Sequence, residues 1–267
     1  MPNPCSVSQP PAALCFGASD PTGASGIQAD LLTLAACGVH PLSVPTSLAA
    51  RDTRGLETVW ALEIGQIDEQ ARVLLEDLRI SAFKVGHLLT AASVAVLAEI
   101  ISDYPEVPLV LAPAPGASDD EDLPDALLDL LLPLSSVLCC NEADAALLAE
   151  ASAPDEGRAS SPAACARELL ARGAGQVLIT GGASASQQLI DTLYGPQGVQ
   201  STSVHDRHPE TFLGAGSTLS AAITAYLARG FTTVEAVKLA GTFTQTSLAA
   251  GFSPGMGGRI PWRGRSS

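Results

Sequence analysis

The sequence predicts an α/β protein with a central, mostly parallel sheet. Short runs rich in Val, Leu and Ile alternate with longer Ala- and Leu-rich segments that have helical spacing. Such alternation is typical of βαβ units, in which a helix connects two parallel strands. Hydrophobic residues make up 46% of the 267 residues and aromatic residues only 4%, so the core must be built mainly from Ala, Leu and Val.

The first half of the chain contains four apolar runs, each followed by a predicted helix. A glycine-rich loop separates the first run from its helix, and Pro124 lies in the first turn of the fourth helix, where its missing N–H is tolerated. The apolar runs are 13–16, 42–48, 83–85 and 107–111, and the helices are 26–37, 68–78, 91–103 and 123–132.

The second half continues the pattern and closes with two helices. Asn141 is a suitable N-cap at the end of a strand, Ser161 caps the next helix, and Gly173 ends it. A Gly-Pro-Gln-Gly segment joins two short apolar runs, which predicts a hairpin. The strands are 137–140, 176–180, 189–194 and 199–204, the helices are 142–151, 162–172, 217–229 and 233–250, and 152–161 is a polar surface loop.

No linker or shift in composition divides the chain, so we expect a single domain over residues 13–262. Residues 1–12 lack both the basic start and the apolar stretch of a signal peptide, which predicts a flexible N-terminal tail. Residues 263–267 are expected to form a C-terminal tail. No uninterrupted apolar run reaches about 18 residues, so we expect no transmembrane helix and no membrane partner.

Charge and cysteine content restrict the partners and the compartment. The formal net charge is −14 and only two lysines are present, so a nucleic acid, which requires basic patches, is not an expected partner. The cysteines lie in or beside apolar segments without C-x-x-C or Cys/His spacing, which favours buried thiols in a reducing cytoplasm over disulfides or zinc ligands. They are Cys5, Cys15, Cys37, Cys139, Cys140 and Cys165.

The most informative stretch is Gly-Ala-Gly-Ser at 214–217, which runs into an apolar, helix-forming segment. Small residues at a helix start leave its first backbone N–H groups uncovered, and with the helix dipole these groups form an anion pocket. A loop-to-helix turn that binds no ligand uses the same residues, so both interpretations are open from this stretch alone. The residues in question are Gly214, Ala215, Gly216 and Ser217, with Ser217 expected to open the helix.

A second glycine-rich loop begins at Gly17 and leads into Asp-Pro-Thr-Gly-Ala-Ser-Gly-Ile-Gln-Ala-Asp at 20–30. This run resembles the opening loop of hydroxymethylpyrimidine and phosphomethylpyrimidine kinases, which are ribokinase-superfamily enzymes of thiamin biosynthesis. The resemblance continues in the family's order through Asp-Thr-Arg-Gly at 52–55, Lys-Val-Gly at 84–86, the paired glycines at 181–182, the stretch at 214–222 and the Gly-rich segment at 253–258.

The resemblance implies a three-layer α/β/α sandwich of the ribokinase-like type, usually assembled as a homodimer. It also implies transfer of the γ-phosphoryl group of ATP, with Mg²⁺, to the hydroxymethyl or phosphate group of an aminopyrimidine. Phosphoryl transfer requires mainly positioning and electrostatic stabilisation, which backbone donors at 214–217 can supply. By resemblance Asp30 hydrogen-bonds the pyrimidine; the alternative is a solvated aspartate near a helix start, favoured by the dipole.

Several positions that match the family on the phosphate side carry an altered residue. Ser217 stands where the superfamily has an acidic base, or this family a cysteine, and a serine hydroxyl needs a neighbouring base to give up its proton. Thr180 stands where a lysine is expected before the paired glycines, of which Gly182 is the second. Ala112 replaces an acidic residue, and the carboxylates at 119–121 are candidate substitutes downstream.

The metal-binding and pyrimidine-binding positions are altered as well. Asn141 and Asp144 form an Asn-x-x-Asp version of the family's Asn-x-x-Glu motif, which is tied to Mg²⁺ and phosphate, and Asp144 remains a suitable magnesium ligand. Arg51 replaces a glutamine, and His87 replaces an apolar residue. An added arginine favours an anionic ligand, whereas a surface arginine and a partly buried histidine are the alternative interpretations.

These departures leave two functions open. The first is a kinase that phosphorylates hydroxymethylpyrimidine or its monophosphate, with slow turnover or a shifted substrate. The second is a non-catalytic paralogue that binds a pyrimidine-like or nucleotide ligand. The retained glycine loops and Asp30 suit both, and the kinase is the favoured assignment because the anion-pocket loop and the Asn-x-x-Asp motif are intact.

Overall fold

The middle layer of the fold is one sheet in the computed structural model, which describes residues 9–152, 161–181 and 187–264. The strands are β1 (Ala12–Ser19), β2 (His40–Arg51), β3 (Leu56–Ala61), β4 (Ile80–Val85), β5 (Leu109–Leu111), β6 (Val137–Asn141), β7 (Val177–Thr180), β8 (Gln188–Gly195) and β9 (Gly198–Asp206). Their order across the sheet is β3-β2-β1-β4-β5-β6-β7-β8-β9. From β2 to β7 all neighbours are parallel, and β3, β8 and β9 pair antiparallel at the two edges.

Helices cover both faces of the sheet. On one face α1, α7 and α8 pack over a core that includes Ala13 and Cys15, and on the other α2 to α6 pack over Leu14 and Phe16. Successive side chains of a strand point to opposite faces, so β1 supplies both cores. The helices are α1 (Gly26–Ala36), α2 (Ile64–Asp77), α3 (Ala91–Ser102), α4 (Leu123–Ala126), α5 (Glu142–Ser152), α6 (Pro162–Ala171), α7 (Ala215–Ala228) and α8 (Thr233–Ala249).

This architecture confirms the predicted three-layer α/β/α sandwich with a mostly parallel sheet. The predicted hairpin at 189–204 is β8 and β9. Asn141 caps α5, because its Oδ1 accepts from the Asp144 N–H at 2.9 Å, and Ser161 caps α6 through the Ala164 N–H. The polar loop predicted at 152–161 lies mostly outside the described residues.

Two elements differ from the sequence prediction. The predicted helix 123–132 is α-helical only over α4, then continues as a π-helical turn (Leu127–Leu131) and a 3₁₀ turn (Leu132–Leu134). Pro133 has no N–H and its ring obstructs the preceding turn, so a regular helix does not extend through it. Strand β3 was not predicted, because most of its side chains are exposed and its sequence shows no strict alternation of buried and polar residues.

Each of the two predicted tails, residues 1–12 and 263–267, includes a residue of the folded domain. Ala12 already belongs to β1. Arg263 is only 3% exposed and hydrogen-bonds to backbone carbonyls of other segments, so it belongs to the folded core rather than to a C-terminal tail. Burial of a charged arginine is tolerable only where its N–H groups find acceptors, and the short sequence after 262 gives no sign that such acceptors exist.

The cysteine prediction agrees with the described part of the chain. Cys15, Cys37, Cys139, Cys140 and Cys165 are buried free thiols, and Cys5 lies outside the described residues. Burial raises the pKa of Cys37 to about 11 and that of Cys139 to about 12, so these thiols are unreactive at neutral pH. Within the described ranges, no helix is long and apolar enough to cross a membrane.

Candidate functional site

A cleft of about 400 Å³ opens at the carboxyl ends of the parallel strands. This is the position at which open α/β sheets bind ligands, and both glycine-rich loops face it. The sequence-predicted residues that line the cleft are Gly17, Asp30, Arg51, His87, Asn141, Asp144, Thr180, Gly214, Gly216 and Ser217. Ala215 adjoins them as the first residue of α7, and Gly182 lies outside the described residues.

The N-terminus of α7 forms one side of the cleft. The helix begins at Ala215, with Gly214 as its N-cap, so Ser217 lies within the first turn rather than opening the helix. Gly214 has a φ of 76°, and a side chain there would collide with the Ala24 carbonyl, which explains the glycine. No side chain caps this helix and no acidic residue occupies its first turn, so its leading N–H groups remain available to an anion.

Asp20 organises the first glycine-rich loop, a role that the sequence did not reveal. The carboxylate is 3% exposed and accepts hydrogen bonds from the N–H and hydroxyl of both Thr22 and Ser25, at 2.7–2.9 Å. Burial raises the pKa of Asp20, but these four hydrogen bonds together outweigh it and lower the pKa below its ordinary value. Arg51 adds a longer ion pair, with Nη1 3.7 Å from the Asp20 Oδ2.

Asp30 is not the solvated helix-start residue that was the alternative interpretation. It is 1% exposed, and its Oδ2 accepts from the Lys84 Nζ at 2.8 Å, with Lys84 itself 2% exposed. Its Oδ1 has no hydrogen-bond partner within the described structure. Burial raises the pKa of Asp30, while Lys84 opposes that shift. A buried carboxylate oxygen without a donor, in the wall of a cleft, is suited to a donor on a ligand.

Lys84 carries the charge that permits Asp30 to be buried, a role that its place in the Lys-Val-Gly motif does not show. The sequence did contain a signal. One of only two lysines in the chain lies within β4, whose remaining residues are largely apolar and buried. A buried lysine in a central strand needs a carboxylate partner, and only the fold shows that α1 supplies it.

Arg51 and His87 adjoin the same end of the cleft. The Arg51 side chain is 20% exposed, donates from Nη1 to the Ser25 Oγ at 3.3 Å, and leaves its buried Nε without a partner. Burial lowers the pKa of His87, although a backbone hydrogen bond with Ala114 opposes the shift. The imidazole is therefore neutral at pH 7, and its Nδ1 has no partner among the described groups.

Asn141 and Asp144 form a reciprocal pair at the far end of the cleft. The Asn141 Nδ2 donates to the Asp144 Oδ2 at 2.7 Å, while the Asp144 N–H donates to the Asn141 Oδ1. Burial raises the pKa of Asp144, and the bond from Asn141 opposes it. Nearby, the Thr180 hydroxyl donates to the Cys140 carbonyl at 3.4 Å. The described residues contain no group of three or more His, Cys, Asp or Glu that could hold a metal by itself.

The candidate acidic substitutes downstream of Ala112 do not reach the cleft. Ala112 lines the cleft itself, but the carboxylates at 119–121 do not. Asp120 instead accepts a hydrogen bond from the Ala91 N–H at 2.8 Å, at the start of α3. Its carboxylate therefore stabilises a helix N-terminus, and the position after β5 has no acidic replacement among these three residues.

The fold and the cleft define a ribokinase-like vitamin kinase. The phosphomethylpyrimidine kinase from Clostridium difficile 630 is 28% identical, with a TM-score of 0.72 over 88% of this chain and 99% of that one. The pyridoxal kinase from Staphylococcus aureus, solved with AMP-PCP and pyridoxal, is 25% identical, with a TM-score of 0.85 over 96% of this chain and 94% of that one.

The chain belongs to the phosphomethylpyrimidine kinase family, whose profile matches residues 20–262. The hydroxymethylpyrimidine/phosphomethylpyrimidine kinase of Rhizobium meliloti (strain 1021) is 32% identical over 243 residues, which are 89% of this chain and 90% of the relative. The protein is accordingly a phosphotransferase of this type, and none of these relatives supports the alternative of a non-catalytic paralogue.

We expect Asp20→Asn to lower the free energy of unfolding by about 1–3 kcal/mol, because an amide nitrogen cannot accept the bonds from Ser25 or Thr22. The folded-state pKa of Asp20 lies below its ordinary value of 3.8. Its contribution is thus fully present above pH 3.8 and is lost as the pH falls through the folded-state pKa. Urea unfolding at several pH values measures the difference between the two proteins.

Asp52→Asn is the matched control, since Asp52 is an exposed aspartate that accepts only from backbone N–H groups of its own turn. Its unfolding midpoint should stay at the wild-type value. An Asp20→Asn protein as stable as wild type at pH 7 would contradict the role assigned to this carboxylate.

Proposed function

We propose that the cleft transfers the γ-phosphoryl group of ATP, with Mg²⁺, to the hydroxymethyl group of hydroxymethylpyrimidine or to the phosphate of its monophosphate. The observation that carries this proposal is the pairing of two unlike ligand-binding ends in one cleft. The unpartnered Asp30 Oδ1 is an acceptor for the amino group of the pyrimidine, and the uncapped N–H groups of α7 are donors for the phosphoryl group.

In this scheme Gly214, Ala215, Gly216 and Ser217 form the anion hole. Their N–H groups belong to the first turn of a 14-residue helix, so they are held in place before a phosphoryl group arrives. Preorganised donors of this kind stabilise the charge of the transition state without reorganisation during the reaction. The altered residue is Ser217, whose hydroxyl is a poor proton acceptor compared with a thiolate or carboxylate.

Asn141, Asp144, Thr180 and Gly182 form the proposed nucleotide side. Magnesium usually binds through one or two carboxylates together with substrate phosphates and waters, and the partly buried Asp144 carboxylate at the cleft fits this requirement. Bound Mg²⁺ would neutralise charge on the phosphates. The S. aureus relative was solved with AMP-PCP, which supports an adenine nucleotide as the phosphoryl donor here.

Gly17, Asp30, Arg51 and His87 form the proposed pyrimidine side. Gly17 lets the substrate approach the backbone, since a side chain there would lie 3.6 Å from Gly86 and narrow the floor of the cleft. Asp30 accepts from the substrate and His87 presents a neutral ring. Arg51 holds a positive charge against the loop of Asp20, which favours a substrate that is already phosphorylated.

We also propose a homodimer in the cytoplasm. Leu48, Leu56 and Trp60 are 43%, 53% and 55% exposed on the paired strands β2 and β3 at the edge of the sheet. Large apolar side chains grouped on an edge strand favour burial against another chain. The five buried free thiols in the described structure are compatible with a reducing compartment.

The role of Ser217 is tested with Ser217→Cys, Ser217→Asp, Thr180→Lys and the Ser217→Cys/Thr180→Lys pair. Ser217→Cys should raise kcat by about 10²-fold or more if the missing base limits turnover, because a thiol ionises far more readily than a hydroxyl. Ser217→Asp should help less, since it puts a negative charge beside the phosphoryl group. If the missing cation is equally limiting, the gain appears only in the double variant.

The measurement is ATP turnover with hydroxymethylpyrimidine and with its monophosphate, and Ser217→Ala serves as the control that removes the hydroxyl without adding an acid. Wild-type enzyme must form ADP and the phosphorylated pyrimidine in equal amounts. Proteins that all bind ligand yet transfer no phosphoryl group would refute the proposed reaction.

Arg51 is expected to select the monophosphate over the free alcohol. Arg51→Gln should lose about 10-fold or more in affinity for the monophosphate, because a charge-assisted pair contributes about 1.5–3 kcal/mol, while affinity for hydroxymethylpyrimidine should change little. Calorimetric titration of both ligands into both proteins gives the four dissociation constants to be compared. If the ratio of the affinities for the monophosphate and for hydroxymethylpyrimidine is the same in wild type and variant, Arg51 does not bind the phosphate group.

We expect Trp60→Glu to dissociate the proposed dimer into monomers, because the substitution introduces a charge into the apolar edge formed by β2 and β3. Sedimentation velocity of wild type and variant measures the mass directly. Val199→Glu is the matched control, because Val199 is 61% exposed on β9 at the opposite edge of the sheet. A monomeric wild type, or a dimer that Trp60→Glu leaves intact, would exclude this interface.

A further inference from the structure

Arg263 is a buried arginine that links the two loops on either side of the cleft. Its guanidinium is held by four hydrogen bonds to the first glycine-rich loop and to the entrance and first turn of α7. Nε donates to the Thr218 Oγ1 at 2.8 Å, Nη1 donates to the Gly23 carbonyl at 3.0 Å, and Nη2 donates to the Ala24 carbonyl at 2.6 Å and to the Gly214 carbonyl at 3.3 Å.

The acceptors belong to the two parts of the proposed site that must act on one substrate. Gly23 and Ala24 lie in the loop organised by Asp20, directly before the helix that carries Asp30. Gly214 and Thr218 belong to the entrance and first turn of α7. The planar guanidinium therefore spans the gap between the pyrimidine side and the anion hole with donors in a fixed geometry.

The backbones of the two loops already lie close together at this point. A side chain on Gly214 would come within 1.7 Å of the Ala24 carbonyl oxygen. The Ala24 carbonyl oxygen thus packs against the Gly214 backbone, and this oxygen and the Gly214 carbonyl oxygen each need a hydrogen-bond donor when they are buried. Arg263 supplies that donor, since its Nη2 bonds to both oxygens.

The positive charge of Arg263 persists at neutral pH despite its burial. Burial lowers the pKa of Arg263 to about 10, while the nearby charges of Asp30 and Asp20 oppose the shift. The guanidinium is thus protonated where the enzyme works. Its charge lies behind the N-cap of α7 rather than in the cleft, whose lining residues do not include it.

A short C-terminal segment delivers this side chain. The Gly257 N–H donates to the Thr53 Oγ1 and the Gly258 N–H donates to the Thr53 carbonyl, both at 3.0 Å. A side chain at Gly257 would approach the Thr53 carbonyl to 1.8 Å. The Gly-rich segment therefore docks on the turn between β2 and β3 and leads the chain back beneath the cleft.

We infer that Arg263 is a positioning residue for phosphoryl transfer: it sets the separation between the loop that precedes Asp30 and the anion hole at 214–217. The inference rests on the proposed function for its kinetic consequence. Arg263 touches no ligand in this scheme. Its effect is to keep the two loops in the relative position at which the acceptor oxygen of the pyrimidine meets the transferring group, and errors of about 1 Å in such positions can cost about 10²-fold in rate.

The test compares Arg263→Lys and Arg263→Ala with Arg259→Ala as the control. Arg259 lies in the same C-terminal segment, pairs with Glu210 at 2.8 Å, donates to the Gly251 carbonyl and packs on Phe212, and it does not line the cleft. In Arg263→Lys we expect kcat to fall by about 10²-fold with KM for the pyrimidine within about threefold of wild type, because one ammonium cannot replace a bridging fork while Lys84 still holds Asp30. Arg259→Ala should keep the wild-type kcat.

Guanidinium ion provides a second readout. At a concentration that does not unfold the protein, it should restore kcat of Arg263→Ala by about tenfold or more by occupying the vacated site between the loops. It should not alter kcat of Arg259→Ala. If Arg263→Ala does not fold, the kcat of Arg263→Lys tests the positioning role of Arg263 by itself. A kcat for folded Arg263→Lys within about threefold of wild type overturns the inference.

Binding of inorganic phosphate separates this inference from the proposed function. Calorimetry should show that Arg263→Lys loses about tenfold or more in phosphate affinity relative to wild type and Arg259→Ala, because Gly214 and the first turn of α7 are no longer fixed. If wild type binds phosphate and pyrimidine but transfers no phosphoryl group, the proposed reaction is refuted. The positioning role of Arg263 is then tested by the phosphate affinities of wild type, Arg263→Lys and Arg259→Ala. Unchanged phosphate affinity in Arg263→Lys would refute the positioning role.

Discussion

The buried ion pair between Lys84 and Asp30 is the interaction on which the rest of the site depends. It joins a central strand to the helix that follows the first glycine-rich loop, with the two charged atoms 2.8 Å apart and both side chains almost fully buried. Either charge alone would be prohibitively expensive in this position, so removing one partner leaves the other uncompensated. The pair also uses only one carboxylate oxygen; the other is buried without a partner in the described structure, and Asp30 lines the cleft.

Two positively charged side chains, Arg51 and Lys84, line the cleft, both on its proposed pyrimidine side. Lys84 pairs with Asp30, Arg51 adjoins Asp20, and Arg263 lies behind the two loops. On the nucleotide side, Thr180 offers a hydroxyl already bonded to a carbonyl where the family resemblance implies a lysine. In the proposed reaction, neutralisation of the phosphates would therefore rely more heavily on backbone N–H groups and on a bound cation than on a side chain at that position.

Backbone hydrogen bonding controls the shape of the site more than side-chain bulk does. Asp20 accepts hydrogen bonds from the N–H groups of its own loop, and Gly214 enters α7 in a left-handed conformation. Arg263 donates to the carbonyls of these turns. Each device satisfies polar groups that would otherwise be buried without partners. The result is a pair of irregular loops that are tied to each other by hydrogen bonds.

The sequence by itself determined the layered α/β fold and the location of the cleft. Strand and helix periodicities are local, and strands of one direction place the loops after β1, β4, β6 and β7 at the same edge of the sheet. The Gly-rich loops and the Asn141 cap were recognisable from local residue types, and Asp30 was identified through the family resemblance. The limits of the helix at 123–132 and the exposed β3 were not, because local patterns do not reveal a π-helical turn or an edge strand without a buried face.

Only the tertiary structure decided which charges are buried together. Lys84 and Asp30 are 54 residues apart, and Arg263 meets Ala24 across 239 residues. Composition and spacing carry no information about such pairs, since a charged residue in isolation favours solvent and its burial depends on partners brought from distant segments. Ser217 and Thr180 could be read as substitutions from the sequence, but their setting in the cleft depends on how α7 and β7 end there, which packing alone defines.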